Sequence, residues 1–188
     1  SEFYSRLGME NLGYLPLDRI DQQRIIPTEE DFEFRSQLLK GYVHDMGAAM
    51  QGGVGGHAGL FSNANDLAIL MQMYLQNGTY AKKQYFKSST IQEYTKCQFC
   101  KEDNRRGAGF DKPALPDQEG GGPTCECVSY LSFGHSGFTG TLAWADPETG
   151  IVFVFLSNRI HPTADNRKLL DMDVRTNIMQ VVFDAIEK

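Results

Sequence analysis

From Ser132 to Thr141 the chain reads Ser-Phe-Gly-His-Ser-Gly-Phe-Thr-Gly-Thr, with small residues crowded around one basic side chain, His135. An imidazole exchanges protons near neutral pH, and the neighbouring Ser136 hydroxyl can both donate and accept a hydrogen bond. Gly134, Gly137 and Gly140 strip the strand of packing area, and close approach by a ligand or another backbone is one of the few good reasons for that. From these residues alone, an incidental histidine on a glycine-bearing strand is the better explanation of the pattern. Phe133, Phe138 and Trp144 could line a groove, although in a hairpin at least two of them should be core or sheet surface. His44, Asp45 and His57 could ligate a metal, but no His-x-x-x-His or carboxylate spacing supports it, and a structural role is expected. Nothing pairs Asp111, Glu119 and Glu126 as a glycosidase acid and nucleophile. His161, before Pro162, reads as a loop residue.

Four cysteines form two local pairs, Cys97-x-x-Cys100 and Cys125-x-Cys127. Disulfides, a zinc site on Cys97, Cys100, Cys125 and Cys127, and free thiols all remain open, with the compartment deciding between them. The single-residue spacing of the second pair weakens the zinc reading. Both pairs bracket one irregular stretch poor in apolar residues, so Cys97 and Cys100 are expected to lie near Cys125 or Cys127. Closing that loop would contribute roughly 3 kcal/mol in the chain-entropy model.

The positioning elements follow from pattern. Turn residues at Asp146-Pro147-Glu148-Thr149-Gly150 separate two β-prone runs, predicting an antiparallel hairpin with strands near 132–145 and 150–158. Leu67, Leu70, Met71, Tyr74 and Leu75 recur at helical spacing after Ser62-Asn63 and before Asn77-Gly78, which predicts a helix over 63–76. Short helices are expected around 46–50 and 89–94, and a helix starting at Pro27-Thr28 with Thr28 as N-cap and Asp31 in a capping-box position. Five glycines within residues 52–59 rule out a regular element there. Residues 97–128 read as an irregular insertion in which only Gly107–Phe110 looks like a strand. A closing helix over 173–186 would bury Val174, Ile178, Val181, Val182 and Ala185.

With 188 residues, one domain with its own core is expected. A net charge of −6 and a pI near 5.2 argue against a nucleic-acid partner. The basic pairs Lys82-Lys83 and Arg105-Arg106 are expected to be solvated turn residues. No apolar run approaches the roughly 20 residues a membrane span needs. The chain opens at Ser1 in mid-pattern, as a processed or trimmed N-terminus would.

Four segments, in order, resemble those of the serine β-lactamase and penicillin-binding-protein superfamily. They are Leu7-Gly8-Met9; Gly56-His57-Ala58-Gly59-Leu60-Phe61-Ser62-Asn63-Ala64-Asn65-Asp66-Leu67-Ala68; Arg106-Gly107-Ala108-Gly109-Phe110; and Phe133-Gly134-His135-Ser136-Gly137 with Gly140, Asp146-Pro147 and Leu156-Ser157-Asn158-Arg159. His135-Ser136-Gly137 is similar to the family's Lys/His-Thr/Ser-Gly motif. The resemblance implies an α+β fold, an antiparallel sheet flanked by helices, as the partial β-lactamase-like (penicillin-recognising) fold. The 63–76 helix would lie across one sheet face and the C-terminal helix on the other. Catalytic roles would fall to His135 and Ser136 as hydrogen-bond or proton-relay groups, to Gly137 as clearance, and to the Phe138 N–H in an oxyanion hole. His57, Gly59 and Thr139 would bind substrate. No cofactor and no metal are implied.

The family's nucleophile motif, Ser-x-x-Lys, and its Tyr-x-Asn do not occur in these 188 residues. Residues 1–188 are therefore expected to be the C-terminal part of one such domain, with the insertion at about 97–128, inactive alone. The parent would be a serine hydrolase cleaving amide or ester bonds through an acyl-enzyme. Its partners would be peptidoglycan-like, β-lactam or ester substrates, the missing N-terminal part of its own domain, and a fused glycoside hydrolase module. Its place would be the periplasm or the secreted fraction. The alternative is a non-catalytic module binding a cell-wall or glycan ligand.

Overall fold

The computed structural model describes residues 2–102, 104–116 and 121–186. Its centre is a three-stranded antiparallel sheet, β5 (Phe133–Ser136), β6 (Leu142–Asp146) and β7 (Ile151–Phe155), in that spatial order. The expected hairpin across 147–150 is β6–β7, with Asp146 opposite Ile151 and Leu142 opposite Phe155. The stretch expected as one strand over 132–145 is instead two, β5 and β6. A tight turn divides them, closed by Gly137 N–H to the Thr141 carbonyl (2.8 Å) and Gly140 N–H to the Gly137 carbonyl (2.9 Å).

Period-two alternation sorts β6 and β7 into two faces. Leu142, Trp144 and Phe153 face Val128 and the C-terminal helix α6 (Val174–Ile186) through Met179 and Phe183. Phe133, Ala145 and Val152 face α3 (Ala64–Leu75) through Met71. The sheet therefore lies between these helices, as the resemblance implies. On α6 the buried stripe is Met179 and Phe183, with Val182 at its margin, rather than the expected valine–isoleucine face. Ile178 and Val181 are exposed, because the two larger side chains fill the gap against Trp144 and Phe153.

Asn63 caps α3 by accepting from the Asp66 N–H, and the helix stops at Asn77-Gly78, both in left-handed backbone. The Asp66 carboxylate in turn accepts from Asn11 N–H (2.7 Å) and Leu12 N–H (2.9 Å). That fastens the N-terminal segment, whose Leu7, Met9 and Leu12 pack on Met73 beneath the helix. The short helices appear as α2 (Met46–Met50) and α4 (Ser88–Thr95). Before them runs α1 (Glu2–Arg6), and between them lie the two-residue strands β3 (Thr79–Tyr80) and β4 (Lys83–Gln84). A single turn, α5 (Lys168–Asp171), precedes α6.

Three further expectations are overturned. Pro27–Asp31 is a strand, β1, paired with β2 (Gln37–Lys40), and no helix starts at Thr28. Distant groups take up its backbone: Asn158 Nδ2 donates to the Pro27 and Thr28 carbonyls, and Glu30 N–H bonds the Pro162 carbonyl. Asp31 does not box a helix start; it accepts from Phe34 N–H (2.8 Å) and Arg35 Nε (2.7 Å) to close the hairpin turn. Gly107–Phe110 is a turn, joined by Gly107 N–H to the Phe110 carbonyl, and the strand-like pairing begins only at Asp111, bridged to Gly134. Finally, each cysteine pair closes on itself, Cys97 with Cys100 and Cys125 with Cys127, so neither staples the insertion. With their sulfurs so engaged, these four residues do not form the zinc alternative. Glu119 lies outside the described residues.

Candidate functional site

Gly134 sits opposite Trp144, and a Cβ on it would strike the Ala143 carbonyl and the indole. A side chain on Gly140, at φ +105°, would meet Ser157 Oγ and Leu169. These two glycines therefore serve close approach by the protein's own atoms. Trp144 and Phe133 are core, leaving Phe138 as the aromatic residue exposed beside the strand.

His135 lies on β5 with its side chain exposed. Its Nδ1 is 2.7 Å from the Ser136 carbonyl and its Nε2 is 3.0 Å from an Arg106 terminal nitrogen. The expectation that Arg105 and Arg106 are solvated residues fails for Arg105, whose side chain is largely buried, and holds for Arg106, which is exposed. Arg105 donates from Nε (2.8 Å) and a terminal nitrogen (3.2 Å) to the buried Asp111 carboxylate, while Arg106 Nε lies 3.5 Å from it. Asp111 is tied by two backbone bonds to Gly134, the residue before His135. The arginines, the carboxylate and the imidazole thus form one connected group along the β5 edge.

The turn after Ser136 is pinned from β7's continuation. Arg159 donates from Nε to the Phe138 carbonyl (2.9 Å), sets its guanidinium 4.5 Å from the Phe138 ring centroid, and bonds the Thr139 carbonyl through its own N–H (2.9 Å). Ser157 Oγ donates to the Gly140 carbonyl (2.9 Å). His44 stacks on Phe138 with centroids 4.8 Å apart, and its Nδ1 lies 2.6 Å from Glu29 Oε1. Among the described residues, the Phe138 N–H and the Ser136 hydroxyl have no hydrogen-bond partner. A fixed turn with a vacant backbone donor can stabilise negative charge developing on a bound oxygen.

His57 stands exposed in the glycine loop, its Nε2 2.9 Å from Asp45 Oδ1. Asp45 also caps α2 by accepting from Ala48 N–H, and that bond, with the one from His57, holds its carboxyl below its usual range. Gly59 is buried against the Gly53 carbonyl and the Tyr14 ring. Contiguity brings His135, Ser136, Gly137, Phe138 and Thr139 together. Phe138 reaches the 44–59 segment through His44 rather than through a contact between His135 and His57. Among the described residues, a cavity of about 300 Å³ lies beside Leu15, Arg35, Tyr42 and Phe61 and another of about 220 Å³ beside Asn158, Arg159 and Leu169; His135 lines neither. Among the described residues no group of three or more His, Cys, Asp or Glu is placed to hold a metal ion.

A model of the β-lactamase family matches residues 6–175. The chain belongs to the β-lactamase family. Its relatives include an Escherichia coli K12 protein provisionally named D-alanyl-D-alanine carboxypeptidase, 39% identical over 88% of this chain and 40% of its own length. A Salmonella enteritidis protein of the same provisional name is 37% identical over 72% of this chain and 31% of its own length. This β-lactamase-family chain thus spans about two fifths or less of the curated relatives it matches. Among solved structures, a β-lactamase from Mycobacterium bovis aligns over 69% of this chain and 46% of its own, with TM-score 0.50 and 22% identity, a likeness of fold. Arg106 and Arg159 stand within family-like segments, and His44 reads from the sequence only as a candidate metal ligand; the roles of the two arginines at the site are not legible, since they act on partners 29 and 21 residues away.

Proposed function

We propose that this chain carries the β5 side of a serine hydrolase site that opens amide or ester bonds through an acyl-enzyme, the attacking serine coming from residues outside this sequence. The observation that carries the reading is the vacant Phe138 N–H on a turn clamped by Arg159, directly after His135-Ser136. Held rigid before substrate arrives, such a donor needs no reorganisation when charge develops on the carbonyl oxygen. Ser136 would bond the substrate or the proton relay, His135 would take part through the Arg106 guanidinium it engages, and Thr139 and His57 would contact the remainder of the substrate. The relatives' provisional name favours peptides ending in D-alanyl-D-alanine among peptidoglycan-like, β-lactam and ester substrates. Two disulfides suit an oxidising compartment, the periplasm or the exterior. The absence of any Ser-x-x-Lys supports assigning the nucleophile elsewhere, in a preceding part of the same domain.

A fluorescent penicillin and a fluorophosphonate test it. This chain should remain unlabelled, whereas a longer protein carrying Ser-x-x-Lys should label, and there Ser136→Ala should lower turnover roughly 10²–10³-fold with little change in stability. Stoichiometric labelling of this chain would overturn the assignment of the nucleophile. An unreactive longer protein that still binds cell-wall ligand would favour the non-catalytic module.

A further inference from the structure

Both ring nitrogens of His135 are engaged, and the two contacts have opposite sense. Nδ1 faces the Ser136 carbonyl at 2.7 Å, and a carbonyl oxygen only accepts, so Nδ1 carries the hydrogen. Nε2 faces the Arg106 guanidinium at 3.0 Å, and a guanidinium only donates, so Nε2 presents its lone pair. One tautomer satisfies both contacts; the other leaves two acceptors face to face at Nδ1 and two donors at Nε2.

Arg106 is itself oriented. Its Nε lies 3.5 Å from Asp111 Oδ1, and Asp111 is buried, held by Arg105 and bonded through its backbone to Gly134 on both sides. The carboxylate that steers Arg106 is therefore fixed to the same strand as the imidazole that Arg106 contacts. The charged groups set against His135 are Arg106 and, behind it, Arg105 and Asp111; among the described residues no carboxylate comes within 4 Å of the ring nitrogens.

We propose that Arg106 is the positioning residue of the site. It locks His135 in the Nδ1–H tautomer with the Nε2 lone pair committed to the guanidinium, so the pair presents arginine N–H donors, rather than a free imidazole, along the β5 edge. The functional meaning rests on the hydrolase reading above, but the tautomer does not. Arg106 acts through His135, and its side chain is about half exposed (47%), so its removal takes away little packing.

Histidine ring ¹⁵N and ¹³C shifts, recorded on this chain at a pH where the ring is neutral, read the tautomer directly. The wild-type ring should show a protonated Nδ1 and a pyridine-like Nε2. Arg106→Met should lose that signature toward the Nε2–H form that unconstrained imidazoles favour, and Arg106→Lys, which keeps a donor, should restore it. Unchanged near-ultraviolet circular dichroism from Trp144 certifies that each variant is folded. A wild-type ring protonated at Nε2 overturns the proposal without any variant, and so does a folded Arg106→Met protein that keeps the Nδ1–H form. No substrate or nucleophile enters this measurement. A failure here therefore tells against Arg106, and a longer protein that never labels tells against the hydrolase reading.

Discussion

The turn at 137–140 and the segment from Cys97 to Cys127 flank the same strand, and both are rich in residues that break regular structure. They are held in opposite ways. The turn is fixed from far along the chain, by Arg159 and Ser157 on one side and His44 on the other. The segment carries two covalent bonds, each spanning two or three positions, and among the described residues its long-range attachments include Arg106 on His135, Phe110 against Tyr74 and Phe133, Asp111 on Gly134, and Lys112, whose Nζ donates to the Leu131 carbonyl. A crosslink between near neighbours removes little freedom from the unfolded chain, whereas a buried carboxylate with distant partners fixes a whole stretch. Covalency and anchoring are separate properties here: the residues proposed to meet the substrate lie on the turn side, and Arg106 reaches them from the segment through a non-covalent contact.

The largest effect should come from the strand between the two regions. Gly134→Ala would drive a methyl group into the Ala143 carbonyl and Trp144, costing about 3 kcal/mol and lowering the melting temperature by roughly 6–12 °C. A calorimetric melt unchanged within 2 °C would show that the sheet opens easily and that the turn is not rigidly held. Removing either disulfide alone should cost less, no more than about 2 kcal/mol in the chain-entropy model. Melting Cys97→Ser and Cys125→Ser separately measures this, and a loss in either that exceeds that of Gly134→Ala would reverse the contrast between the regions.

The smallest effect should be a slope rather than a drop. Burial pulls the Lys112 ammonium down to about 8, with nearby Asp146 opposing the shift. Below pH 8 the folded and unfolded chains both hold this proton, and the folded chain bears the desolvation cost. Between about 8 and the ordinary lysine value near 10.5 the unfolded state binds more protons, so stability from this group rises with pH. Lys112→Met should remove that rise. Urea midpoints at pH 7.5 and 10 should converge in the variant relative to wild type, and parallel behaviour would show that Lys112 does not anchor the segment from a buried position.

What the residues reveal in advance depends on how far away their partners are. The helix over 63–76 is legible because its cap, stripe and stop are all local: Asn63, the Leu67–Leu75 spacing and Asn77-Gly78. The β6–β7 hairpin is legible for the same reason, through Asp146–Gly150. Pro27–Asp31 misleads because its local signals suit a helix start while Asn158 and Pro162 claim its backbone. The face of α6 is misjudged because side-chain volume against Trp144 outweighs apolar periodicity. Within the site, His135 and its glycines stand out by type and spacing. Arg106 and Arg159 do not, since a guanidinium announces no partner and theirs lie on other elements.

The side chain of Asn158 joins residues about 130 positions apart in sequence. Such a tether cannot close until both of its ends have arrived, so it sets an order of assembly. Helix α3 and the β6–β7 hairpin can form from neighbouring residues, while the β1–β2 hairpin must wait for the segment beyond Phe155 before its carbonyls are satisfied. Topologies dominated by such distant pairings fold more slowly than locally connected ones. During synthesis the first hairpin would leave the ribosome long before its latch, and a chain cut just after β7 would lose its grip near the opposite terminus.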